Sequence, residues 1–82
     1  FSKLNLSIYP NPASEEISLE LDQIENYQIT FFNSIGQKIN LEQLSAQTGI
    51  KRYNTANLSD GLYFIDLAQG DYHDTRKIII RH

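Results

Sequence analysis

This 82-residue chain contains no cysteine, no methionine and no tryptophan, and it has only two prolines and four glycines. The lack of cysteine excludes disulfide bonds and thiolate metal sites, so packing and backbone hydrogen bonding alone must offset the entropy lost on folding. A chain of this size buries only roughly 60 % of the surface that its unfolded form exposes, which leaves one small core. We therefore expect residues 1–82 to form a single domain.

Basic charge and long apolar runs are also scarce. Seven Lys and Arg against ten Asp and Glu give a formal net charge of −3. Phosphate binding needs a concentrated basic surface, so this balance argues against a nucleic-acid partner. No aliphatic run exceeds the three isoleucines at 78–80, and we expect no membrane-spanning segment, because a spanning helix needs roughly 20 apolar residues. The start at Phe1 and the lack of methionine favour a piece of a larger protein.

Groups suited to catalysis or metal binding do not form any recognisable constellation. His73 lies in a polar stretch that predicts a solvated loop, and His82 is interpreted as a fraying end or an expression remnant. Glu15 and Glu16 are adjacent, so they would point to opposite faces of a strand, and the other carboxylates supply only fragments of a calcium loop. We expect no catalytic residue, no metal site and no cofactor.

The first half of the chain shows the alternation of β-strands. Ile17, Leu19 and Leu21 would share one face and the polar residues between them the other, which is the period of a half-buried strand. Residues 27–31 repeat this pattern, and the residues Asn33-Ser34-Ile35-Gly36 predict the turn of a hairpin that returns through residues 37–41. A first strand over residues 4–9 would end at Pro10, because proline removes a backbone donor.

Three further strands are predicted in the second half, at residues 51–57, 62–68 and 75–81, with turns at 59–61 and 69–71. Residues 42–50 could form one helical turn at most, so we expect a loop or linker there. Together these segments predict an all-β sandwich of about seven short antiparallel strands.

Two places leave open which face of a strand is covered. Residues 62–65 are apolar on both faces, so their strand is either central with a covered outer face, which we favour, or part of an exposed apolar patch. Phe32 raises the same question, because it lies on the face opposite to that of Phe31. If it is exposed, Phe32 is a candidate docking residue.

Three short motifs lie near the two ends of the chain. They are Tyr9-Pro10-Asn11-Pro12-Ala13-Ser14, then Leu58-Ser59-Asp60-Gly61-Leu62-Tyr63, and finally Lys77-Ile78-Ile79-Ile80-Arg81. Gly61 is predicted to adopt a positive φ in a turn, and Tyr63 to pack inward with its hydroxyl on a backbone acceptor. The last motif predicts a closing strand whose flanking cations oppose aggregation, or an edge that a receptor could extend.

In their order and spacing these motifs, with residues 29–39 between them, resemble the type A C-terminal sorting domain of the type IX (Por) secretion system of Bacteroidetes. The resemblance implies a non-enzymatic, Ig-like β-sandwich at the C-terminal end of an exported precursor. Its implied partners are the type IX translocon, a sortase-like peptidase that removes it, and a covalently linked N-terminal cargo. The implied location is the periplasm in transit, and then the outer membrane surface or the medium.

The resemblance also implies that a receptor reads the folded shape together with the last strand. We expect Lys77, Ile79 and Arg81 to be the recognised residues, supported by Gly61 and Tyr63. The alternative is an Ig-like accessory module that binds a glycan or a protein and is appended to a secreted enzyme. Position distinguishes the two, because a sorting domain must end its reading frame.

Overall fold

The computed structural model describes residues 5–82, and within them eight β-strands form two sheets. The strands are β1 (Ser7–Tyr9), β2 (Glu16–Glu20), β3 (Gln28–Asn33), β4 (Lys38–Ile39), β5 (Gln43–Gln47), β6 (Ile50–Asn54), β7 (Gly61–Gln69) and β8 (Tyr72–Ile80). A single 3-10 turn, Ile24–Asn26, leads from β2 to β3. The predicted all-β class is confirmed, with one strand more than the sequence indicated.

Each sheet contains four antiparallel strands. Sheet 1 has the order β1-β2-β6-β5 and sheet 2 the order β4-β3-β7-β8. The longest pairing joins β7 to β8 over nine residues each, from Gly61 opposite Ile80 to Gln69 opposite Tyr72. Strand β8 is therefore an edge strand of sheet 2, and β7 is an interior strand.

The core lies between the two sheets and follows the predicted alternation. Ile17 and Leu19 of β2 are fully buried, as are Ile65 and Leu67 of β7. Each such side chain stabilises the fold by roughly 1.5–3 kcal/mol relative to an exposed one. The remaining buried apolar residues of this cluster are Leu6, Ala13, Leu21, Ile24, Phe31, Tyr53, Tyr63, Ile78 and Ile80.

The predicted hairpin is confirmed at the turn between β3 and β4. Asn33 N donates to Gln37 O at 2.9 Å, and Gly36 N donates to Asn33 O at 3.0 Å. Gly36 has a φ of +86°, a conformation that glycine adopts without the strain that a Cβ atom would cause. The Asn33 side chain also accepts from the amide of Gln37, so this turn is closed by both backbone and side-chain bonds.

The prediction of a loop over residues 42–50 is wrong, because β5 occupies Gln43–Gln47. Four of its five residues are exposed, and its pairing with β6 is irregular between Gln43 and Ser45. Leu44 and Ala46 alternate with polar residues, but both side chains are exposed, so the strand has no buried apolar face. Its backbone ladder with β6 stabilises it, and that ladder leaves no signal in the side chains.

Two smaller predictions also differ from the structure. His73 is in strand β8 and not in a loop, although its side chain is exposed and contacts Asp66 of β7 across the ladder, with 3.0 Å between Nδ1 and Oδ2. The first strand begins at Ser7, and Leu4, where we expected it to start, lies outside the described residues.

Candidate functional site

The proline-containing motif packs against the last strand of the chain. Ala13 N donates to Ile79 O at 2.8 Å, and Arg81 N donates to Ala13 O at 2.8 Å. The side-chain Oδ1 of Asn11 accepts from Ile79 N at 3.1 Å. Two segments almost 70 positions apart in sequence are thus joined by three hydrogen bonds, and we call residues 11–13 with 79–81 the motif junction.

Local structure places residues 11–13 at that position. Strand β1 ends at Tyr9, and both the Tyr9-Pro10 and Asn11-Pro12 peptide bonds are cis. Ala13 is fully buried, and it forms an isolated parallel bridge with Ile80. Neither proline has a backbone N–H that would need a partner at this turn.

The second motif, residues 58–63, forms the neighbouring corner of the molecule. Gly61 has a φ of +151° at the first residue of β7, and Tyr63 is buried with its hydroxyl donating to Ser59 O at 2.8 Å. The positive φ of Gly61 and the inward packing of Tyr63 are confirmed, although Gly61 is the first residue of β7 and not part of the turn. Asp60 Oδ1 accepts from His82 N at 3.0 Å, so the turn before β7 also holds the end of β8.

His82 is held by several contacts and not by its backbone alone. Its Nε2 lies 2.6 Å from Leu58 O, and its Nδ1 lies 3.4 Å from Ser14 Oγ. The interpretation of His82 as a fraying end therefore differs from its placement. His82 follows directly after the last motif and contacts Ser14 of the first motif and Leu58 of the second. The three motifs therefore meet in one corner of the sandwich.

The five residues expected to be recognised lie close together but do not share one orientation. Lys77 and Ile79 are exposed and project from β8 on the face of sheet 2 that points away from the core. Arg81 follows the end of β8 and is exposed. Gly61 is opposite Ile80 in the ladder, and Tyr63 points into the core. Tyr63 is thus positioned to support the other residues from beneath.

At the single positions, the sequence does not indicate that some residues of this corner contact the end of the chain. Asn11, Asp60 and Ser14 each bond to β8 or to His82, yet each reads alone as an ordinary turn residue. The clue was their membership of short motifs at both ends of the chain, and sequence spacing alone does not reveal which distant segments meet.

Two tyrosines of the sandwich have a raised pKa. Tyr9 donates to Glu20 Oε1 at 3.0 Å, and this bond is the main cause that raises the pKa of Tyr9. Burial raises the pKa of Tyr53, whose ring meets that of Phe31 edge-on, with centroids 4.8 Å apart. The Phe31–Tyr53 contact joins sheet 2 to sheet 1.

Charge is also buried beneath β8, on the face that points toward the core. Asp74 is only 7 % exposed and receives two bonds from Arg76, at 3.1 Å from Nε and 2.9 Å from the second guanidinium nitrogen. Inward-pointing charges on an edge strand oppose uncontrolled pairing with other chains.

A shallow surface depression of about 380 Å³ lies between the β3–β4 turn and the turn before β7. Among residues 5–82, no three His, Asp or Glu side chains are close enough together to hold a metal ion. Within the same residues, no helix has the length and apolar character needed to cross a bilayer. The depression named above is lined by residues that include Asn33, Ile35, Leu58, Asp60 and Leu62.

The arrangement offers an exposed face and a rigid corner, which suit recognition by another surface.

Comparison with known proteins agrees with this arrangement. The family model of the secretion system C-terminal sorting domain matches residues 7–81. The Ulvan lyase NLR42 of Nonlabens ulvanivorans is 28 % identical over 67 residues, a match that covers 82 % of this chain and 12 % of the lyase. The Ig1 domain of mouse SynCAM 2 superposes with a TM-score of 0.63 at 14 % identity, over 95 % of this chain and 94 % of that domain. The last likeness confirms the Ig-like fold.

Proposed function

This chain belongs to the secretion system C-terminal sorting domain family, and from that premise we propose that it carries a covalently linked cargo across the outer membrane through the type IX secretion system. The family supports a sorting signal on an exported protein and interaction with the secretion machinery. We propose further that residues 1–82 are one domain at the C-terminal end of a larger precursor. The cargo is in the periplasm in transit and at the cell surface or outside afterwards.

The motif junction is the observation that carries the proposal. The motifs by which the sequence resembles sorting domains are far apart in the chain, yet hydrogen bonds join Asn11, Ala13 and Asp60 to residues 79–82. The side chains of Asn11 and Asp60 accept, and the backbone of Ala13 both donates and accepts. A sorting signal that is shared by unrelated cargoes must be recognised on the domain itself. A last strand that the other two motifs hold in one position suits such recognition.

We assign recognition to Lys77, Ile79 and Arg81, supported by Gly61 and Tyr63. The first three are exposed at the end of β8, where two cations flank an aliphatic side chain. Gly61 allows the turn that begins β7, and Tyr63 anchors that turn through Ser59 O. The support is indirect, because both residues set the position of the strand against which β8 is paired.

The likeness to part of a lyase fits a domain appended to a cargo. The match covers only 12 % of Ulvan lyase NLR42, so the chain spans about an eighth of that relative. We propose that the cargo of the present chain is likewise a separate unit, and that a sortase-like peptidase removes the sorting domain after translocation. In this scheme the domain is a substrate of the peptidase and has no catalytic role.

The proposal is tested by fusing the full chain to the C-terminus of a fluorescent reporter that carries its own signal peptide. We expect export in a host with an intact type IX system and retention in the periplasm when that system is disabled. The charge reversal Lys77→Glu with Arg81→Glu should reduce export while the domain stays folded, because both side chains are exposed.

Retention of the folded wild-type fusion in both hosts would refute the sorting function. The accessory module that binds a glycan or a protein would then be the better assignment, and ligand screens with glycan and protein arrays would follow. Accumulation of a full-length exported fusion, with the domain still attached, would contradict only the removal by a peptidase.

A further inference from the structure

The outer face of sheet 2 carries a row of four side chains, one from each strand. Lys38 of β4 is opposite Phe32 of β3, Phe32 is opposite Phe64 of β7, and Phe64 is opposite Lys77 of β8. The row points away from the core, because the neighbouring residues along the strands, such as Phe31, are the buried ones. We call these four residues the Lys-Phe row.

The centre of this face is apolar and open. Phe32 and Phe64 are half-buried, and in the adjacent row Leu62 is opposite Ile79, with 38 % and 40 % of their surfaces exposed. Strand β7 is interior, as favoured from the sequence, but no layer among residues 5–82 covers its outer face. Exposed aliphatic and aromatic groups that adjoin in this way mark interaction surfaces.

The polar side chains on the same face already form hydrogen bonds with one another. Asp66 accepts from Thr75 at 3.1 Å, and its other carboxylate oxygen lies 3.0 Å from His73 Nδ1. This cluster forms one border of the apolar centre. It leaves the Lys-Phe row, together with Leu62 and Ile79, as the part that is available to a partner.

The two lysines at the ends of the row have no acidic partner within residues 5–82, whereas Arg52 pairs with Glu16 and Arg76 pairs with Asp74. Both lysines are exposed. Neighbouring strands are about 4.8 Å apart, so three strand spacings separate the backbones of the two lysines by about 14 Å. A complementary surface would place one carboxylate near each end of an apolar centre.

We propose that this face docks a protein surface of the secretion machinery, one with an apolar centre flanked by carboxylates about 14 Å apart. The proposal rests on the sorting function and extends the recognised surface from β8 across the whole of sheet 2. It adds Lys38, Phe64 and Leu62 to the residues expected from the sequence, and it includes Phe32, which the sequence offered as a candidate docking residue. A protein is favoured over an anionic membrane, because the row carries only two lysines, whereas recognition of anionic lipids takes a cluster of roughly four to eight cations.

The charge arm of the test compares two double variants of the reporter fusion. Lys38→Gln with Lys77→Gln removes the two end charges of the row. Gln43→Glu with Gln47→Glu changes the net charge by the same amount on β5, in the opposite sheet, where both residues are exposed. We expect export to fall about tenfold in the first variant and to stay at the wild-type level in the second.

The apolar arm uses two matched leucines. Leu62→Thr acts on the apolar centre, and Leu44→Thr acts on β5, where Leu44 is 44 % exposed. Threonine suits a strand, so both variants should fold, and thermal unfolding of the purified full chain checks this. We expect only Leu62→Thr to reduce export, by several-fold.

The outcomes separate this inference from the sorting function. Type IX-dependent export of the wild type, with normal export of the folded lysine and Leu62 variants, would overturn the docking face and leave the sorting function intact. A wild type that is not exported would overturn both. Co-sedimentation of the full chain with vesicles of equal parts phosphatidylglycerol and phosphatidylcholine, lost in the lysine variant whose export is normal, would replace the protein partner by a membrane.

Discussion

The hydroxyl of Tyr63 connects the turn before β7 to that strand. It donates to Ser59 O at 2.8 Å from a side chain that is only 7 % exposed. Tyr63→Phe removes this donor and leaves the ring in place. We expect the free energy of unfolding to fall by about 1 kcal/mol, since a typical neutral hydrogen bond contributes that amount, and urea denaturation measures the change.

The matched control for Tyr63→Phe is Tyr72→Phe. The hydroxyl of Tyr72 has no hydrogen bond to any residue of the described range 5–82 and the side chain is half-exposed. Its replacement should change stability by no more than about 0.5 kcal/mol. Equal urea midpoints for the two variants would contradict the assigned role of the Tyr63 hydroxyl.

The burial of Tyr53 predicts a specific loss of stability in alkali. Because burial raises the pKa of Tyr53, the folded chain holds the phenolic proton more strongly than the unfolded chain does. This stabilisation is complete below the ordinary tyrosine pKa of about 10 and is lost as the pH rises through the higher folded pKa. Tyr53→Phe should therefore show a smaller decrease in stability between about pH 9 and 11.

Urea denaturation at several pH values across that range measures the effect. The neutral-pH stabilities of the two proteins are allowed to differ, because only the dependence on pH carries the prediction. Parallel curves for the wild type and Tyr53→Phe would show that Tyr53 does not contribute to the alkaline loss.

At the scale of elements, the motif junction predicts local protection of β8. Asn11 Oδ1 accepts the amide proton of Ile79, so Asn11→Ala should expose that amide. We expect hydrogen exchange at Ile79 to become roughly fivefold faster, equivalent to about 1 kcal/mol, as read by NMR. The amides of Ile65 and Leu67 in the middle of β7 should keep their rates.

Asn11→Asp provides the conservative comparison, because a carboxylate retains an acceptor at the same position. Its Ile79 exchange rate should stay near that of the wild type. If Asn11→Ala left the rate at Ile79 unchanged, the bonds at Ala13 alone would suffice to hold β8.

At the scale of the whole molecule, the last six residues are as much a part of the core as a part of the recognised surface. Ile78 and Ile80 are each only 1 % exposed, and two buried isoleucines contribute roughly 3–6 kcal/mol. The total stability of a small domain is about 5–15 kcal/mol. We expect a chain without residues 77–82 to lose its cooperative thermal unfolding, measured by circular dichroism.

The charge-reversed Lys77→Glu, Arg81→Glu chain should unfold cooperatively near the wild-type temperature. Failure of the truncated form to be exported would then reflect unfolding, whereas failure of the charge-reversed form would reflect recognition. A truncated chain that still melts cooperatively would show that the end of β8, from Lys77 onward, is dispensable for the fold.

Much of the architecture was predictable, because a half-buried strand leaves a period of two in its own side chains. Ile17 and Leu19 show it in β2, and the turn residues Asn33 and Gly36 indicate the hairpin directly. Strand β5 was missed because its alternation is confined to Leu44 and Ala46, in a segment so short that it also fits one helical turn. The same limit applies to His73, whose polar neighbours conceal a strand that is paired through its backbone.

The sequence by itself determined the fold class, most of the strands and the roles of Gly61 and Tyr63, because these depend on local periodicity and on the backbone preferences of single residues. Only the tertiary structure decided that Asn11 and Ala13 bond to β8, that Asp60 holds His82, and that two lysines flank two phenylalanines on one open face. These features depend on the pairing of strands distant in sequence. The packing of the whole core determines which strands pair, and the sequence of a single local segment does not contain that information.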